Sequence, residues 1–245
     1  MSQTMDTAFR RIGTEARQGT WGPAGPGPFA PASFSATRAY DKLIGLTLLA
    51  LVAGIAGWAI VPSGIAFGAA LVAFVAIVIS WFKMGWARVL APVYAVCEGL
   101  FLGAISGIYA QMSSGIVPMA VVFTAAVFVG ALTLYRTGLV RVTPRMMAFA
   151  YMGALGLLAI GVLSLFISLP ALAGFGTVGL IFGILCLIVA VTNLFADFDY
   201  VQRAEAMGVP AEAEWAAAFA MLAAMVLVYL SILRILASMY GGRRR

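Results

Sequence analysis

Apolar residues fall in seven long runs along the chain, separated by short polar connectors. The runs are Leu43–Val61, Ile65–Phe82, Val89–Ala110, Val117–Leu134, Met147–Leu169, Gly174–Ala196 and Ala216–Ala237. Each approaches the roughly 20 residues that carry a helix across a bilayer. Hydrocarbon offers the backbone no hydrogen-bond partner, so runs of this kind predict helices that satisfy their own N–H and C=O groups. Lys and Arg occupy alternate connectors. Five precede the first run, and the six connectors that follow hold zero, two, zero, three, zero and one. The connectors without a cation are Pro62–Gly64, Gln111–Ile116 and Pro170–Ala173. Because cytoplasmic loops concentrate Lys and Arg, these three are expected outside and the amino terminus inside. The pattern predicts an all-α, polytopic bundle of seven transmembrane helices in the inner (plasma) membrane.

Composition sharpens the class. Hydrophobic residues make up 63% of the chain and charged residues 10%, well below the quarter or so usual for soluble domains. The net charge of +6 resides in connectors and tails, which points to orientation and headgroup contact. No basic stripe interleaved with aromatics argues for nucleic acid, so the lipid bilayer is the expected partner. The chain has no His, which removes His metal ligands, His proton relays and a Ser-His-Asp triad. No cofactor and no enzymatic activity are expected. Cys97 and Cys186 fall inside apolar runs and read as small buried hydrophobes.

Residues 1–38 read as a flexible cytoplasmic tail, because WGPAGPGPFAPASF at Trp21–Phe34 cannot pack a core. Residues 39–240 form the expected membrane domain, and residues 241–245 a basic tail. Small residues recur at four-residue spacing: Gly99, Gly103 and Gly107 share one helix face, and Gly179 and Gly183 another. Such faces let helices approach closely.

The acids carry the candidate chemistry. Glu98, in AVCEGLFLGAISG, sits deep in the third run, where a carboxylate is costly unless it is neutral, paired or facing a wet cavity. Asn193, Asp197 and Asp199 close the sixth run in TNLFADFDYVQRAEAMGVP. Asn193 and Asp197 are one turn apart and share a face, whereas Asp199 is rotated by about 200° from Asp197. One aspartate should therefore face the bundle, and Asp197, continuing the polar face of Asn193, is the choice. Anions at a helix carboxyl end oppose its dipole, so a cation is expected beside them. Lys83, Arg88, Arg136 and Arg203 are the candidates on that side. Glu212 and Glu214 precede the last run, where the dipole favours them as capping residues.

YAVCEGLFLGAISG, then NLFADFDYVQ, GVPAEAEWAAAF and YLSILRILA, in that order, resemble the Bax inhibitor-1/YccA-like membrane family over Ala39 to Tyr240. The resemblance implies a seven-helix bundle with the last helix central, and a calcium leak that responds to pH. It implies an aspartate on the sixth helix, here Asp197 or the shifted Asp199, paired with one on the seventh. A basic latch at the end of the second helix falls near Lys83, with Arg88 in the same connector. The seventh-helix acid should lie near Ala224, and Ala216–Tyr240 contains none. The resemblance places Glu98 in the YccA-like branch, as the acid that would supply the second carboxylate. Two functions follow: a cation path lined by Glu98 and Asp197, closed when carboxylates share a proton, or a regulatory protein that binds membrane-protein partners, such as a protease, with no transport.

Seven crossings put Arg243–Arg245 outside the cell, against the charge rule, whereas a re-entrant last segment would keep them inside; the length of Ala216–Ala237 favours seven. Replacing Arg243 by Cys, with Cys97 and Cys186 removed, should give a thiol labelled only by an impermeant reagent on the outer face. Labelling from the cytoplasmic face alone would rule out the seventh crossing.

Overall fold

The computed structural model describes residues 33–60, 63–111, 113, 115–166 and 176–241. The Pro/Gly-rich stretch to residue 32, the Pro170–Ala173 connector and the Arg243–Arg245 tail lie outside the described residues. Within them the fold is all-helical: α1 Ala36–Ile60, α2 Ser63–Phe82, α3 Ala87–Ala110, α4 Ile116–Arg136, α5 Pro144–Phe166, α6 Thr177–Ala206 and α7 Ala213–Gly241. A 3₁₀ turn, Met84–Trp86, leads into α3. One antiparallel bridge joins Ser33 to Pro210. Five helices are long and apolar enough to cross a membrane, namely α1, α3, α4, α6 and α7. The corresponding stretches of α2 and α5, Gly64–Ser80 and Pro144–Ile160, are shorter.

Helices outrun the apolar runs at their polar ends. α1 begins at Ala36 rather than Leu43, and α6 continues past Ala196 to Ala206. A helix supplies its own backbone hydrogen bonds and continues into the polar interface until a residue stops it. For α6 the stop is Gly208, at φ +64°, a backbone angle that favours glycine. Residues on the amino-terminal side of position 39 also pack on the bundle. Phe34 N–H donates to Val209 O at 2.7 Å, and the Phe34 side chain is buried.

The glycine faces set the closest approach in the bundle. A Cβ on Gly103 would overlap the Gly54 carbonyl, one on Gly99 the Ala50 carbonyl, and one on Gly57 the Leu100 carbonyl. α1 and α3 therefore touch backbone to backbone. α3 also packs on α2 and α7, and α7 contacts α1, α3, α4 and α6. In α7 61% of the most apolar window is buried, against 22–39% in the other four candidate spans. Most large apolar side chains of α1, including Ile44, Leu48, Val52 and Ile55, point outward, as lipid contact requires.

Gly103→Ala should destabilise the protein by about 1–3 kcal/mol, because the new methyl forces α1 and α3 apart. Gly107→Ala meets open space and should be neutral or slightly stabilising. Thermal unfolding of both variants in one detergent tests the contrast.

Candidate functional site

Two contacts fix α3 against α7. The rings of Tyr94 and Phe219 lie 4.8 Å apart, and Ser106 Oγ is 2.7 Å from the Tyr229 hydroxyl. Glu98 lies between these contacts along α3, so the register sets it level with Leu222 and Ala223. The Glu98 side chain is partly buried and makes no ion pair or hydrogen bond with the described residues. It is a carboxylate among apolar helices with no cation beside it.

α6 presents its polar residues to two neighbours. Asn193 Nδ2 donates to Val189 O at 2.9 Å within its own helix and to Ala150 O of α5 at 3.2 Å. Just above, Gly153 of α5 gives Val189 room to pack. Continuing that antiparallel register sets Asp197, one turn beyond Asn193, opposite Met146 on the α5 seam. Asp197 is partly buried and, like Glu98, has no hydrogen bond or ion pair with the described residues.

Asp199 turns to the other side. Arg203 NH2 lies 2.6 Å from its Oδ2, one turn along, and the Tyr135 hydroxyl of α4 donates to its Oδ1 at 3.3 Å. Gln202 Oε1, 3.1 Å from the same hydroxyl, shares that donor. Between the two acids, Phe198 is fully buried against Phe128 and Tyr135. Only one aspartate was expected to face the bundle. The structure covers both, because α6 has α5 along one face and α4 along the other.

The expected cations divide. Arg203 is the partner, and it serves Asp199. Lys83 stacks over the Trp86 ring at 5.0 Å, and Arg88 is exposed; neither is paired with an α6 aspartate. Glu98 and Asp197 do not meet, since α3 and α6 each pack on α7 rather than substantially on one another.

The most connected acid was read in the sequence only as a cap. Glu214 is 1% exposed at the start of α7. Its Oε1 lies 2.8 Å from Arg38 and accepts Ser35 N–H at 3.0 Å, and its Oε2 lies 2.5 Å from Lys42. Lys42 also stands 5.0 Å over the Trp215 ring. Nearby, Ala36 N–H donates to Glu205 Oε1 at 2.9 Å. The chain entering α1 is thereby fastened to the α6–α7 turn. The available signal was the i,i+4 spacing of Arg38 and Lys42, which puts two cations on one face of a helix start.

Apolar helices packed this way, with lipid-facing side chains outside and a few acids within, define a multi-pass helical membrane protein. A model of the Bax inhibitor 1 like family matches residues 6–241, and the chain belongs to that family. Compared directly with curated protein sequences, it has no match.

Glu214→Gln should lower stability by about 1–2 kcal/mol, since the hydrogen bonds from Arg38 and Lys42 then lack a charged acceptor. Glu212→Gln, at an exposed position, should change stability little. Denaturant unfolding in detergent distinguishes the two.

Proposed function

We propose that this protein is a pH-sensitive cation leak, with calcium as the ion implied by the family resemblance. The observation that carries the reading is the pair of acids, Glu98 and Asp197. Each lies in an apolar helix, partly buried and without a cation partner among the described residues. An unpaired carboxylate deep in an apolar run, as Glu98 is, is expensive to retain, and Asp197 stands unpaired just past the end of the sixth run; a passing cation is the partner that would offset the cost. The acids lie on two helices that both pack on α7. In this reading α2 and α5 complete seven crossings around a central α7, and the amino terminus is cytoplasmic.

Glu98 is the second acid of the path, on α3 rather than near Ala224 where the family resemblance puts one; it does not meet Asp197, so the two line the path separately rather than as a pair. Register supports this placing, because Glu98 is level with Leu222 and Ala223, one helix away. An ionised carboxylate draws a cation and a protonated one does not, so flux rises with pH as the acids ionise. Asp199, held by Arg203 and Tyr135, is a fixed ion pair outside this exchange. The alternative, a partner-binding regulator, is also allowed by the resemblance and is suited by small-residue faces, of which Gly107 stays open. Gly99 and Gly103 are already filled by α1, and Gly183 lies against Ile235 of α7.

Calcium entry into liposomes holding only the purified protein, scanned from about pH 6 to about pH 8, tests the proposal. Wild type should pass calcium increasingly as pH rises. Asp197→Asn should flatten the profile and Asp199→Asn should keep it. An altered Asp199→Asn profile beside an unchanged Asp197→Asn profile would assign the role to the wrong aspartate. Absence of flux from wild type would leave the regulator reading.

Glu98→Gln should fold and lose flux. Glu98→Lys should fail to accumulate, since a buried unpaired cation costs several kcal/mol. Abundant, stable Glu98→Lys protein would place that position in water.

A further inference from the structure

α1 and α4 do not pack substantially on one another; both lean on α7, and a groove opens between them to the outside of the bundle. Leu43, Ile44, Thr47 and Leu48 of α1 form one wall, Phe128 of α4 the other, and Met225 of α7 is also in the lining. The cavity measures about 170 Å³. Its one polar side chain, Thr47, spends its hydroxyl on Leu43 O at 2.8 Å and so leaves the lining apolar. Water gains nothing there, because an apolar cavity offers it no partner. A partner helix, about 10 Å across, would have to seat over the whole α1–α4 face rather than in the groove. An alkyl chain does fit, and the groove lies between two helices apolar and long enough to span the bilayer.

The end of the groove supplies the second observation. Tyr40 stands one turn before Leu43 and Ile44 on α1. Arg136 ends α4, eight residues and about 12 Å along the helix from Phe128. The two side chains are near enough for the Arg136 charge to act on the Tyr40 hydroxyl. Arg136 is exposed and has no ion pair with the described residues. Of the acids around this corner, Glu205 accepts the Ala36 N–H, Asp199 is paired with Arg203, and Asp41 follows Tyr40 on α1. A cation and a phenol thus lie at the polar end of an apolar slot, a headgroup's distance from the chain that would fill it.

We infer that the α1–α4 groove binds one phospholipid, its acyl chain along Leu43–Leu48 and Phe128 and its phosphate on Arg136 and Tyr40. Arg is suited to the task because its planar fork meets phosphate oxygens two at a time. The site is independent of cation flux and stands or falls without it.

Native mass spectrometry of the full chain, released from mild detergent after reconstitution in phosphatidylglycerol and phosphatidylethanolamine, tests the site. Wild type should retain one phospholipid. Thr47→Trp, which fills the groove, should cut occupancy at least tenfold, and Arg136→Gln should cut it severalfold. Val52→Trp, on the exposed outer face of the same helix, should leave it unchanged. Equal retention by Thr47→Trp and wild type would overturn the site, as would a wild type that retains none. A second measurement needs no variant: a phospholipid with a diazirine in its acyl chain should label Leu43–Leu48 and Phe128 of wild type. Labelling spread evenly over the outward residues of α1 would mean ordinary annular lipid and would overturn the inference.

Discussion

Backbone contact between α1 and α3 is the constraint on which the rest of the arrangement depends. Lipid tails are as apolar as leucine, so helices in a bilayer gain little from hiding hydrophobic side chains and much from close fit. Gly57, Gly99 and Gly103 provide that fit, since carbonyl oxygens occupy the space where their Cβ atoms would stand. Seating α3 against α1 fixes its rotation. That rotation turns Tyr94 to Phe219 and Ser106 to Tyr229, and it holds Glu98 between these contacts at the level of Leu222. The glycines have no chemistry of their own, yet they place the one acid of α3.

The second fastening is electrostatic and lies at the polar end. Glu214 faces two cations and a backbone N–H from the segment that begins α1. The bridge between Ser33 and Pro210 and the Phe34–Val209 hydrogen bond extend the same clamp across the α6–α7 turn. The first and last helices of the described chain are thereby joined at one corner. α7, the most buried of the candidate spans, is held at its start by charge and along its length by packing.

Against these paired groups the unpaired ones stand out. Asp199 has Arg203, Tyr135 and a place on the α4 side, and Glu214 has Arg38 and Lys42. Glu98 and Asp197 have no such partner among the described residues. The contrast within one molecule separates acids that hold the bundle together from acids left to serve something that comes and goes. Membership of the Bax inhibitor 1 like family agrees with a multi-pass helical protein, and the two unpaired acids give the functional reading its footing.

Much of the fold was legible because hydrophobicity in a membrane is a local property. Seven apolar runs mark seven helices, and each helix satisfies its own backbone without reference to the others. Depth was legible too, which is why Glu98 drew attention before any neighbour was known. Pairing was not, because it depends on which helices flank which face. Periodicity gave the 200° rotation between Asp197 and Asp199 correctly but implied that one of them must look outward. Only the packing of α4 and α5 on opposite sides of α6 covered both, and only the packing gave Arg203 to Asp199 while leaving Lys83 on Trp86. Glu214 shows the same limit. Its place beside a helix start was visible in the chain, but its partners Arg38 and Lys42 lie more than 170 residues away in sequence. Local pattern sets what each helix is, and tertiary contact decides which charges meet, because an ion pair depends on distance in space and not along the chain.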